Sequence, residues 1–180
     1  MEIIEKLENF IKEKNKEAPH MLRTLFWMRE IYPEANEEMQ IATLCHDIER
    51  CFPLRDGEVK PEKTYDDAKD EEYLTWHGKR SAEFAEKVLR EFGYSDADKL
   101  EKIKRLIAEH SIGGTKERDL MMDADSISFL ENNAILFIQR GKDRDMLREK
   151  FTSEYERIIN PKAKEFAKPF RDRALEELEK

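Results

Sequence analysis

Apolar residues in this chain recur every three or four positions, and no useful length alternates every second residue, which restricts it to helices. Ile3, Ile4, Leu7, Phe10 and Ile11 lie on one such stripe, so residues 2 to about 16 read as an amphipathic helix interrupted at Pro19. A second helix is expected from about His20 to Ile31, before Pro33, and a third from Glu37 to about Arg50, before Pro53. Residues 53–70 carry turn formers and charge without an apolar period and read as a loop, either a lid or a plain solvated connection. A fourth helix spans about Glu72 to Phe92 and ends at Gly93. Ser95 or Asp96 caps a fifth, which runs to about His110 and stops near Gly113 and Gly114. A sixth starts at Lys116 or Leu120, reaches Gln139 and ends at Gly141. Two more follow, broken at Pro161, with a kink expected at Pro169. The fold class is all-α.

Composition narrows the partners. With 33 Lys and Arg against 41 Asp and Glu, the net charge is −8, which argues against nucleic acid and anionic membranes as general partners. Apolar runs are short and broken by charge, so no membrane span is expected. The amphipathic, charged N-terminus does not resemble a signal peptide, and a cytoplasmic protein is expected. Cys45 and Cys51 have no paired metal spacing and read as reduced thiols. The length suits one domain, with residues 1–140 as its main body and 141–180 as a helical extension packed on it or on a second subunit. Trp27, Trp76, Phe84 and Phe92 fall at helical spacing and read as core.

The chain has 4 His, at positions 20, 46, 77 and 110, each on the apolar side of a different expected helix. His20 continues the stripe of Thr24, Trp27 and Ile31; His77 shares a face with Leu74, Ser81, Ala85 and Val88. One inward histidine is ordinarily a satisfied core residue. Four, with none left on the surface, point to a shared ligand, because a buried imidazole needs partners for both nitrogens. Asp47 follows His46 directly, and Asp123 and Asp125 each fall on an apolar stripe, so periodicity does not separate them as ligand and helix cap.

The order His20, His46-Asp47 and a distal Asp, with the stretches HDIER, HGKRSAEFAEKVL, AEH and DADS, resembles the HD-domain superfamily of metal-dependent phosphohydrolases. The resemblance spans about residues 18–138 and leaves the last forty or so outside. It implies an HD-type helical bundle in which His20, His46, Asp47 and Asp125 hold a first metal. Asp125 is preferred because family members place the ligand as the Asp after Ala. His77 and His110 match the extra histidines of two-metal members, with Asp47 as bridge; some relatives use such histidines on substrate phosphate. Two departures stand out: Glu49-Arg50 replaces a frequent Gly-Lys, and Ser126 replaces a common Arg, so the substrate-reading residues do not transfer.

Such ligands suit one or two ions of Mn, Fe, Co, Ni or Zn, which would cut phosphate through a metal-bound hydroxide. Asp47 and Arg50 are the candidate catalytic residues. Arg50, Lys79, Arg80 and Arg23 are the candidate phosphate-binding cations. Gly113 and Gly114 would let backbone approach a ligand or would simply stop the helix. The expected function is hydrolysis of a phosphate ester or anhydride of a nucleotide or small metabolite. Two alternatives share the same ligands: a di-iron oxygenase of the same superfamily fold, and a non-catalytic helical binding domain stapled by metal.

Overall fold

A computed structural model describes residues 2–15, 18–64 and 70–180. Among them are helices α1 (Ile3–Lys14), α2 (Ala18–Ile31), α3 (Glu37–Cys45), α4 (Glu71–Glu91), α5 (Ala97–Ala108), α6 (Lys116–Ser128), α7 (Ala134–Gln139), α8 (Arg144–Glu156) and α9 (Pro161–Glu179), and no strand. The architecture is an all-α helical bundle. No helix among the described residues is long and apolar enough to cross a membrane.

Helix starts follow their caps. Asn36, Asp96, Thr115 and Asp143 each accept a hydrogen bond from the backbone N–H three residues on, and Asn160 caps α9 with Pro161 in its first turn. Pro19 does not break a helix; it lies in the first turn of α2, where its missing N–H costs nothing. At the end of α4, Gly93 takes φ 86°, and Tyr94 N–H reaches back to the Leu89 carbonyl at 2.9 Å. Helix α9 continues through Pro169. Lys16, the expected end of the first helix, lies outside the described residues, as do residues 65–69 of the 53–70 loop. Residues 53–64 contain neither helix nor strand.

Three boundaries differ from expectation, all near the histidines. Helix α3 ends at Cys45, not near Arg50; Asp47 leaves it at φ −109°, ψ 15°, and Ile48–Cys51 form a 3-10 turn. Helix α5 ends at Ala108, so His110 occupies the following turn. The sixth expected helix is divided by a π turn at Phe129–Asn133 between α6 and α7. In each place a helix continuing regularly would carry its polar side chains around the axis and away from a common point.

The core is contiguous. Leu7, Ile11, Met21, Leu25, Ile41, Leu44, Leu89, Ile103, Ile127 and Phe151 are among its fully buried members. Helix α2 packs on α3 and α6, α4 and α3 pack on α5, and α9 joins α6 to α8. Gly78 sets the α4–α5 approach, since a Cβ there would run into the Ala108 carbonyl oxygen. Trp27 and Phe84 are buried as expected, and Phe92 is half-buried. Trp76 departs from its core reading: half-buried, it lines the cavity described below.

Candidate metal centre

The six expected ligands come from five separate stretches and meet. His20 lies in the first turn of α2, His46 and Asp47 at the end of α3, His77 on α4, His110 just after α5, and Asp125 on α6. His20, His46 and Asp125 offer one ligand atom each within 4.8 Å of one another, and so do Asp47, His77 and His110. Asp125 Oδ1 is 3.1 Å from His20 Nε2 and 3.4 Å from His46 Nε2. Asp47 joins the two groups: Oδ1 is 2.9 Å from His77 Nε2, while Oδ2 faces His20 and His46 at 3.7 and 3.6 Å. The rings form a chain from His20 through His46 and His110 to His77, with centroid separations of 5.3, 5.3 and 5.5 Å.

Each imidazole is held by its other nitrogen. His46 Nδ1 donates to the Thr43 carbonyl at 2.8 Å and His110 Nδ1 to the Ile107 carbonyl at 2.7 Å. His77 Nδ1 donates to Glu49 at 3.3 Å. The Ser128 hydroxyl donates to the His20 carbonyl at 2.8 Å, so it accepts from His20 Nδ1 at 3.0 Å. All four therefore turn Nε2 inward, the arrangement that outer hydrogen bonds impose on metal-binding histidines. His46 Nε2 is buried without a hydrogen-bond partner, and the Ser111 hydroxyl is 3.1 Å from His110 Nε2. A cation between the two carboxylates would answer that orphan nitrogen and their charge together, so the donor set fits a metal ion.

Electrostatics agree. Burial alone would lower His46, yet Asp47 and Asp125 raise it to about 9: the carboxylates call for positive charge at this point. His110 is lowered to about 3 by burial and by His46 and His77, and is a neutral imidazole. Burial opposes ionisation of Asp47, but Arg50, His46 and His77 hold it well below the usual carboxylate range. Asp125 is likewise depressed against its burial by the His20 and His46 rings that face its Oδ1.

Asp123 is placed elsewhere. It accepts from the backbone N–H groups of Ile159 and Asn160 at 2.8 and 2.9 Å and so tethers the start of α9. Cys45 is wholly buried, and burial pushes its thiol up, away from ionisation.

A cavity of about 990 Å³ opens over the ligands. Of the expected phosphate-binding cations, only Arg50 lines it, 2.8 Å from Asp47 Oδ2. Lys79, two residues past His77, points to solvent from the opposite face of α4. Arg80 is buried behind the site, bonded to Glu49 at 3.2 Å, to the Pro53 carbonyl at 2.5 Å and to Glu58, and it anchors the 52–58 segment. Arg23 is turned away by a two-pronged ion pair with Glu131 of the π turn, both bonds 2.8 Å.

Lys14, Lys60, Lys63, Arg140, Lys150 and Arg157 join Arg50 in the wall, against the acids Asp47, Glu49, Asp125 and Glu154. Sequence reasoning missed these six because no helical period links them to the histidines. Glu49 and Ser128 were missed for the same reason: their partners are 28 and 108 residues away. Phe52, Tyr73 and Trp76 line the cavity with Phe129 and Phe137, and α8 and its C-cap, expected only to pack, contribute Lys150, Glu154 and Arg157.

No curated protein and no solved structure matches this sequence. Residues 5–174, which take in both the helices of the His/Asp groups and α8, match the model of a domain of unknown function, DUF4202, so the chain belongs to the DUF4202 family.

Proposed function

We propose that this chain is a cytoplasmic, metal-dependent phosphohydrolase of the HD-domain type, cleaving a phosphate ester or anhydride of a nucleotide or another small metabolite. The observation that supports it most is the meeting of four inward Nε2 atoms with Asp47 and Asp125 at the floor of a cation-lined cavity. His20, His46 and Asp125 would hold one divalent ion, and His77 and His110 a second, with Asp47 between them. When bound, an ion of Mn, Fe, Co, Ni or Zn supplies water activation and neutralises phosphoryl charge. The protein's part is orientation. Ser128, Glu49 and the carbonyls of Thr43 and Ile107 keep the imidazole protons on the outer nitrogens, and Arg50 steadies Asp47 at the cavity edge.

Cations around the site suit an anionic, phosphorus-bearing substrate, and oxygen dependence is what separates hydrolysis from the di-iron oxygenase reading. The test is to strip the protein with a chelator, restore ions singly and assay a panel of phosphomonoesters, nucleotides and phosphoanhydrides. Phosphate release should vanish on chelation and return with one of these ions. Undiminished turnover by metal-free protein, or oxygen uptake without phosphate release, would contradict the proposal.

A further inference from the structure

Helix α8 lies beyond the stretch that carries the family resemblance, yet it builds one wall of the site. Lys150, Glu154 and Arg157 fall at spacings of four and three along and just past this helix, so they share a face. Lys150 and Glu154 are 7% and 4% exposed, values that charged side chains reach only when paired. Glu154 serves two cations at once, Lys150 at 2.7 Å and Arg157 at 2.8 Å. The Ser126 hydroxyl accepts from Arg157 Nε at 2.6 Å and donates to Glu154 at 3.0 Å, which fixes the plane of the guanidinium. Arg157 also reaches the outer oxygen of Asp125 at 3.0 Å, on the carboxylate whose other oxygen faces His20 and His46.

A wall needed only for packing would be at least as stable with apolar residues of similar volume. Here one buried carboxylate holds two cations at the edge of an open cavity, beside a candidate metal ligand, with Arg50 and Lys63 lining the same space. We infer that α8 supplies an anion subsite in which Lys150 and Arg157 receive the oxygens of a phosphoryl group lying against the metal centre, with Glu154 as the positioning residue. This rests on the reading of the site as a phosphohydrolase and extends it to a part of the chain that the resemblance leaves unassigned. Ser126 on α6 is the residue on which Arg157, just past the end of α8, docks.

The experiment is calorimetric titration of inorganic phosphate into the full-length, metal-loaded protein, with metal content measured for every variant. Lys150→Met keeps the buried stem and removes the charge, and Arg157→Gln keeps a polar group of similar reach. Each should weaken phosphate binding at least about tenfold with bound metal unchanged, and Arg157→Lys should recover part of the loss. If either variant unfolds, Lys150→Arg and Arg157→Lys carry the comparison, with shifts expected in phosphate affinity and not in metal content. Phosphate affinity unchanged in the variants, loss of metal in its place, or no phosphate binding by the wild type would overturn the subsite. Heat of binding needs no turnover. Phosphate binding that depends on α8 without any hydrolysis therefore sinks the phosphohydrolase reading alone, and hydrolysis with phosphate binding independent of α8 sinks the subsite alone.

Discussion

Asp47 is the residue on which the site turns, because its two oxygens face different groups of ligands. Replacing it with Ala, or His46 with Ala, should remove bound metal and phosphatase activity together while the helices persist, as far-ultraviolet circular dichroism and elemental analysis would show. Asp123 is the natural control. Asp123→Ala leaves two backbone N–H groups without their acceptor and should cost about 1–3 kcal/mol in denaturant unfolding, with metal content untouched. At this scale the sequence was legible in outline: the four histidines expected on apolar stripes are all buried, although His46 and His110 sit just past their helices. It was silent on which of Asp123 and Asp125 faces them, since both lie on buried stripes, and the choice came from the resemblance. Arg23, Lys79 and Arg80 illustrate the converse. Closeness in sequence to a ligand histidine does not aim a long side chain into the site, because Glu131, solvent, and Glu49 with Glu58 claim these three.

Helices were easier to read than their ends. Caps and apolar periods locate α4, α8 and α9 to within a few residues. The misplaced ends, after Cys45, after Ala108 and at Phe129–Asn133, are where the backbone departs from α geometry beside ligand residues, and local propensity carries no trace of that demand. Gly78 is a related case. Its place one residue after His77 is plain in the sequence, but only the contact with the Ala108 carbonyl shows why a side chain is excluded. Gly78→Ala should push α4 from α5, cost about 1–3 kcal/mol in chemical denaturation despite the better helix propensity of Ala, and lower metal affinity at His77 and His110. A gain in stability would show that the two helices have room to spare.

Across the whole molecule, an acidic chain gathers cations around one cavity and ties its C-terminal helices to the site through Glu154. Burial alone would raise the Glu154 carboxyl, but Arg157 and Lys150 hold it below its ordinary value. Its contribution to stability is therefore present above the unfolded carboxyl range and is lost as pH falls through the lower folded value. Glu154→Gln should destabilise the protein by about 3–5 kcal/mol at neutral pH, and the gap from wild type should close in acid, when both carry a neutral side chain. The most direct measurement of the account is elemental analysis of protein purified without added chelator or metal, beside the His77→Ala, His110→Ala double variant. Two adjoining ligand groups joined by Asp47 predict about two transition-metal ions per chain, falling to about one in the double variant. A wild-type protein that holds no stoichiometric metal as purified and takes up none when metal is then supplied, or a double variant that keeps its full complement, would contradict it.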